Sequence, residues 1–279
     1  MSRRKGRDHA RPGRTAIISG GARTMNAIAD SFRDQGFYHA RGVFSPAALT
    51  GLEADFDRIV AQLTASGETV DATWDGARTA VLARADDVIL HTHNVQKYSR
   101  TWMDALLSAP FLDVVEAILG PDIILHHSKL FQKPPENGAP FPMHQDWPYF
   151  PTVGDTMLAG IIHVSDASDD MGCLRVYPGS HRLGRVPGAD GRQPNTVLDR
   201  HPIERAQPIE ARAGDVVFFH YLTLHGSMPN RSKRTRKTVL VQMYSGRDHV
   251  EPGNRHPDER LALRGWNHHI SRAAAGAAM

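Results

Sequence analysis

The chain has 279 residues, one cysteine and a formal net charge of +3, with 41% hydrophobic and 23% charged residues. This is the composition of an ordinary globular protein, long enough for one large domain or two small ones. The lone Cys173 excludes an intramolecular disulfide and any cysteine-rich zinc site within one chain, and it fits a reducing, cytoplasmic compartment.

The positive charge is concentrated at one end. Arg3, Arg4, Lys5, Arg7, Arg11 and Arg14 face a single acid, Asp8, in the first fifteen residues. Without them the totals of 33 basic and 30 acidic groups become 27 and 29, so the body is near −2. A disordered, solvated tail over residues 1–15 is expected, and no nucleic-acid partner. Arg3-Arg4 faintly resembles a twin-arginine start, but no apolar stretch of signal length follows. No run of about eighteen apolar residues exists, so no membrane span is expected.

In chain order, Ala22 to Asp34 carries helical spacing in Met25, Ile28, Ala29 and Phe32, with Gly36 as a stop. Ser45-Pro46 opens a second helix, since serine caps and proline suits the first turn. Leu49, Leu52, Phe56, Ile59, Val60 and Leu63 form its core-facing stripe. Thr101 to Leu107 and Pro110 to Leu119 read as further helices. Near Asp122 the pattern changes. Ile123 to Lys133 reads as a strand, followed by a Pro/Gly loop to Pro140. Strands are expected at Thr156 to Val164, Cys173 to Tyr177, Asp215 to His220 and Thr238 to Tyr244. The polar stretch from His181 to Gln207 reads as an ordered flap or a mobile insertion. Residues 271–279 read as a frayed end. Helices followed by many short strands predict a mainly β fold with flanking α-helices. A double-stranded β-helix, or jelly roll, is the natural core. Residues 16–270 would form one domain, helical to about 120 and β-rich from about 120 to 250.

Three residues suggest chemistry. His144 and Asp146 lie between the Pro/Gly loop and the aromatic segment Trp147-Pro148-Tyr149-Phe150. His225 follows the apolar run Val216 to Phe219, and Gly226 permits close backbone approach. Two imidazoles and one carboxylate form a ligand set for Fe(II) that leaves positions open for substrate and O2. Alone, a His-x-Asp pair in a chain with 16 histidines is weak evidence. Arg236, eleven residues beyond His225, strengthens it. Its planar guanidinium would clamp the far carboxylate of a two-carboxylate cosubstrate such as 2-oxoglutarate. Ser227 would add a hydroxyl donor.

The segments Lys133-Pro134-Pro135, His144-Gln145-Asp146, Tyr149-Phe150-Pro151, Gly172-Cys173-Leu174 and Pro178-Gly179-Ser180-His181 continue this pattern. They are followed in order by Gly214 to His220, His225-Gly226-Ser227 and Arg236. In this the chain resembles the phytanoyl-CoA dioxygenase family of Fe(II)/2-oxoglutarate-dependent oxygenases, over roughly Gly120 to Tyr244. The resemblance implies a cupin-like double-stranded β-helix with iron on His144, Asp146 and His225. It also implies 2-oxoglutarate on Arg236 and Ser227, with Arg234 a rival to Arg236. Turnover would consume O2 and convert 2-oxoglutarate to succinate and CO2 while oxidising a small molecule. Retention of Asp146, which related halogenases replace by a small residue, favours hydroxylation. Desaturation, cyclisation and epimerisation remain alternatives.

Lys129 shares a strand face with His127, Phe131 and Lys133 and is a candidate to meet an anionic group of cosubstrate or substrate. Trp147 either floors the substrate site or packs. Asn94 and Gln96 are further polar candidates. Arg231, Lys233 and Lys237 read as a solvated face. Of His126 and His127, neighbours in a strand, only one should face inward. His163, His220 and the pair His268-His269 read as ordinary residues rather than a second metal site. The substrate is expected to be a small polar metabolite or biosynthetic intermediate. An acyl-CoA is the second choice, and a non-catalytic binding module the alternative of another class. Oligomeric state is not legible.

Overall fold

The structure, a computed structural model, describes residues 15–275 except 73, 75, 253 and 255. The expected basic tail therefore lies outside the described residues apart from residue 15, as do residues 276–279. In chain order come helix α1 (Thr15–Gln35), strand β1 (Phe37–Ala40), helices α2 (Pro46–Ser66) and α3 (Ala77–Leu82), and strand β2 (Leu90–His93). Next are helices α4 (Arg100–Leu106) and α5 (Ala109–Leu119) and strands β3 (Ile123–Lys133), β4 (Phe141–His144), β5 (Leu158–His163) and β6 (Leu174–Val176). The remainder is α6 (Thr196–Asp199), β7 (Gln207–Ile209), β8 (Val216–His220), β9 (His225–Ser227), β10 (Arg236–Ser245), β11 (Leu261–Arg264) and α7 (Arg272–Ala275).

Local sequence accounts for the helix ends. Ser45 Oγ accepts from Ala48 N–H at 3.3 Å, Pro46 occupies the first turn, and Gly67 at φ +74° closes α2. Ser99 caps α4 in the same way through Trp102 N–H.

Two antiparallel sheets face each other. The larger runs β1-β8-β5-β10-β3-β11, with β2 also on β3; the smaller runs β4-β9-β6-β7. Strand alternation assigns each face of the larger sheet. Val216 and Phe218 of β8, with Val239 and Val241 of β10, meet Phe32, Phe56, Trp102 and Phe111 of the helices. Val217 and Phe219 point the other way, onto Leu174, Val176 and Ile209 of the smaller sheet. Helices thus cover one side of a jelly roll whose interior lies between the sheets, as expected for a mainly β fold with flanking helices.

Strand β3 contains the main surprise. Gln242 pairs with His127, but Met243 pairs with Leu125, so His126 is the extra residue of a β-bulge. The slip reverses side-chain parity. Leu130 and Leu125 both reach the helical core, although their positions differ by an odd number. His126 and His127 consequently lie on the same side, with Nδ1 atoms 2.5 Å apart. The expectation that only one faces inward is overturned by this insertion.

The stretch 181–207 is packed. Val186, Ala189, Leu198, Ile203 and Ala206 are buried against Met143 and Leu224. The sequence pattern does not announce the short strands β1, β2, β4, β7, β9 and β11 or the short helices α3, α6 and α7, the last of which occupies residues 272–275 of the stretch expected to be frayed. Among the described residues, no helix is long and apolar enough to cross a membrane.

Candidate active site

His144 ends β4 and His225 begins β9, and the two residues pair directly in register. Their ring centroids are 4.2 Å apart. Gly226 makes this approach possible. A Cβ there would lie 2.8 Å from Phe141 O and 3.0 Å from Pro142 O. Each imidazole is fixed by a backbone carbonyl: His144 Nδ1 donates to Pro142 O at 2.7 Å and His225 Nδ1 to Thr223 O at 2.9 Å. That tautomer leaves both Nε2 lone pairs available. Both Nε2 atoms approach Asp146 Oδ1, at 3.3 and 3.6 Å. Asp146 Oδ2 is already occupied, accepting from Gln242 Nε2 at 2.8 Å.

Ligand atoms of His144, Asp146 and His225 all lie within 4.8 Å of one another, and this is the one such group among the described residues. The side chains are nearly inaccessible, at 4%, 7% and 6% exposure. Burial and the facing His144 push His225 down to about 4. Burial opposes ionisation of Asp146, but the His225 and His144 imidazoles outweigh it and hold the carboxyl near 2. Neutral imidazoles and a carboxylate are the protonation states a divalent metal requires. Two nitrogens and one oxygen with open positions fit Fe(II).

The intervening Gln145 points away from this group. Its Nε2 donates to Leu222 O at 2.6 Å and Gly184 O at 3.0 Å, and its Oε1 accepts from Val186 N–H at 3.0 Å. It staples the 181–207 segment to the loop before His225. Trp74 covers the other side of His144, with centroids 4.5 Å apart.

A second cluster lies where β10 begins. Arg236 pairs in register with Lys133, the last residue of β3. Lys133 is fully buried; its Nζ donates to Ser227 Oγ at 2.7 Å and Met228 O at 2.8 Å. Arg236 Nη1 donates to Gly172 O, while its Nε has no partner. Burial pushes Arg236 down to about 10. Burial, then the neighbouring guanidinium, holds Lys133 well below the ordinary lysine range. Among the described residues, neither head group pairs with a carboxylate. A buried guanidinium without a counter-ion, beside an amine whose charged form the same burial disfavours, is costly. An incoming carboxylate would neutralise it, so this end of the cavity fits 2-oxoglutarate. Arg234 is elsewhere, exposed and 3.9 Å from Asp166.

His144, Asp146, His225, Ser227 and Arg236 line one cavity of about 260 Å³, together with Lys129, Trp74, His163 and Thr238, while Lys133 lies behind Ser227 and does not line it. Lys129 lies four residues before Lys133 on β3, roughly 13 Å away at strand spacing. Its Nζ is 3.4 Å from His256 Nε2, and burial pushes it down to about 8. Trp147 does not line the cavity and packs under Arg185, whose guanidinium lies 5.5 Å from the ring centre. Asn94 and Gln96 face other partners, Glu259 at 2.7 Å and Ser128 at 2.7 Å. The expected solvated face is partly wrong. Arg231 pairs with buried Asp87, and Lys237 bridges to Glu53 and Asp57 of α2 at 2.9 and 2.7 Å, because sheet and helix bring these charges together. Sequence reasoning missed Gln242 and Trp74. The first lacked any local motif, and the second sits on an irregular segment far from the ligands in sequence.

A jelly roll with such a donor set between its sheets is the frame of the 2-oxoglutarate-dependent non-haem iron dioxygenases. The profile of the phytanoyl-CoA dioxygenase (PhyH) family matches residues 32–238, and the chain belongs to this family. A probable alpha-ketoglutarate-dependent hypophosphite dioxygenase of Stutzerimonas stutzeri is 30% identical over 227 residues, covering 75% of each chain. The peroxisomal phytanoyl-CoA dioxygenase of Homo sapiens is 31% identical over 149 residues, 50% of this chain and 44% of the human one. In fold, the chain is similar to the epimerase SnoN in complex with Fe3+, alpha ketoglutarate and nogalamycin RO. The TM-score is 0.69 at 19% identity, over 83% of this chain and 87% of that one. EctD from S. alaskensis gives 0.66 at 20% identity, over 92% and 90%.

Proposed function

We propose that the protein hydroxylates a small polar metabolite or biosynthetic intermediate, with 2-oxoglutarate and O2 as cosubstrates and succinate and CO2 as co-products. One observation carries this reading: a single cavity is lined by the His144, Asp146 and His225 donors and by Arg236, a buried guanidinium with no carboxylate partner among the described residues.

His144, Asp146 and His225 would hold Fe(II), which supplies the chemistry coupling decarboxylation of 2-oxoglutarate to oxidation of the substrate. Gln242 keeps the Asp146 carboxylate turned so that Oδ1 faces the histidines. Arg236 and Ser227 hold the distal carboxylate of 2-oxoglutarate, and Lys133 behind Ser227 adds charge. Lys129, close enough to Asp146 to be influenced by its charge, stands on the remaining side of the site and faces an anionic group. Trp74, Phe141 and Tyr149 wall the cavity with aromatic surface and exclude water from the reaction. With Asp146 occupying the carboxylate position, oxygen transfer is favoured over halogenation.

The relatives named above act on chemically unrelated compounds, so cavity size guides the choice of substrate. A volume of about 260 Å³ is small for a ligand site and must also accommodate 2-oxoglutarate. This favours a small compound over an acyl-CoA. Coupled turnover tests the reading: O2 uptake and succinate formation are followed with a panel of small acids, amino acids, phosphonates and acyl-CoA thioesters. Stimulation by a small member, abolished in Asp146→Ala, is expected. Stimulation by acyl-CoA thioesters alone would overturn the substrate choice.

A further inference from the structure

The bulge in β3 has a chemical consequence next to the metal donors. It places His126 and His127 side by side, with ring centroids 4.8 Å apart. His127 is stacked on His256, with centroids 5.2 Å apart, and His256 approaches Lys129 Nζ at 3.4 Å. Strand β2 adds His91 and His93, whose rings are 5.5 Å apart; His93 lies 5.6 Å from His256. The cluster abuts the donor group, because His127 pairs across the sheet with Gln242, which holds Asp146. Of this cluster His91, Lys129 and His256 line the cavity, and Arg192 stands at its rim.

The arrangement is one-sided in charge. Asp146 is the one carboxylate lining the cavity among the described residues, and it belongs to the metal donors. Among the described residues, His91 Nδ1, His93 Nε2 and His127 Nε2 have no hydrogen-bond partner. The ring nitrogens do not converge closely enough for a second metal site. Of the three histidines, His91 lines the cavity, and its unpartnered nitrogen beside a lysine that forms no ion pair is satisfied by a ligand group that carries negative charge.

We infer that Lys129 and His91 form an anion subsite beside the metal donors, with His256 placed against the lysine, and that the compound oxidised here carries a small oxyanion, a carboxylate or a phosphorus oxyanion. This rests on the reading of the cavity as an oxygenase substrate site. Lys129 supplies the fixed charge, and His91 adds a ring nitrogen, Nδ1, that has no partner among the described residues. Arg236, at the opposite end, is then reserved for 2-oxoglutarate.

Calorimetric titration of the anaerobic Fe(II) protein, saturated with 2-oxoglutarate, tests this. The probes are acetate and methylphosphonate, each against a neutral counterpart, acetamide and dimethyl methylphosphonate. At least one anion binds and neither neutral compound does; whichever anion binds more tightly identifies the oxyanion. Lys129→Met weakens anion binding roughly ten- to a hundredfold, the expected effect of one lost charge-assisted hydrogen bond. It leaves 2-oxoglutarate affinity within about twofold, and Lys129→Arg restores most of the anion binding. Equal binding of charged and neutral probes, or none by either anion, overturns the inference. So does anion binding that Lys129→Met leaves unchanged or that 2-oxoglutarate displaces, which would place the anion at Arg236. Repeating the titration on metal-free protein separates the two readings. Anion binding that depends on Lys129 survives there, whereas the oxygenase reading fails if iron and 2-oxoglutarate do not bind together.

Discussion

Arg236 and Lys133 sit side by side in the interior with no carboxylate partner among the described residues, and this sets what substitution of Arg236 should do. Arg236→Met should raise the dissociation constant for 2-oxoglutarate roughly ten- to a hundredfold, since a hydrogen bond to a charged group contributes about 1.5–3 kcal/mol. The same substitution should leave the cosubstrate-free protein as stable or more stable, because it removes a buried unpaired cation. Binding isotherms and Tm together check this, and a lower Tm with unchanged cosubstrate affinity would contradict it. Gln242 acts on the metal through Asp146. Gln242→Leu should weaken binding of Fe(II), or of Co(II) as a spectroscopic substitute, by about ten- to a hundredfold, the usual effect of losing a partner that orients a metal ligand. Equal Co(II) affinity in both proteins would remove Gln242 from that role. That His144, Asp146 and His225 come together in one cavity with Arg236 was legible in the sequence, because residue type, spacing and family resemblance pointed to one donor set. Gln242 was not, because its role depends on register across two sheets.

At the scale of elements, the short pairing of β4 with β9 carries both histidines, and Gly226 sets how closely these strands approach. Gly226→Ala would drive a methyl group against two backbone carbonyls, at 2.8 and 3.0 Å. It should displace His225 and Ser227 together and lower metal and 2-oxoglutarate affinity in one step. Separate titrations of the two ligands check this, and loss of only one would show that the strand had not moved as a unit. Helix α2 was readable because its apolar residues recur with helical period over many positions, and strand β3 because it is a long segment bounded by turn residues on both sides. Strands β4 and β9 span four and three residues, too few for any period to register. The bulge at His126 was invisible for another reason: parity in a strand is set by its neighbours, and nothing local in the doublet announces the slip.

For the whole molecule, buried neutral histidines predict acid sensitivity. Burial pushes His163 down to about 3 and His220 to about 4, from an ordinary value of 6.5. Above about pH 6.5 the folded and unfolded chains hold these imidazoles alike. As pH falls from there toward 4, the unfolded chain takes up protons that the folded one refuses, so stability falls with pH. Each such group contributes at most about 1.4 kcal/mol per pH unit. Tm should therefore decline between pH 7.5 and 5, and His220→Asn should flatten the decline. A Tm that rises over this interval would contradict the assignment. The β-rich fold and its family were legible because the motifs lie in order along one chain. The identity of the substrate was not, since the cavity wall of Lys129, His91 and His256 is drawn from three distant segments.

The central claim is that His144, Asp146 and His225 hold Fe(II) while Arg236 anchors 2-oxoglutarate beside it. Anaerobic titration of metal-free protein with Fe(II) and then 2-oxoglutarate, followed by visible absorption, tests it most directly. A weak charge-transfer band is expected in the wild type, absent in His225→Ala and requiring far more cosubstrate in Arg236→Ala. No band in folded wild-type protein at saturating iron and 2-oxoglutarate, or a band of equal strength in His225→Ala, would contradict the account.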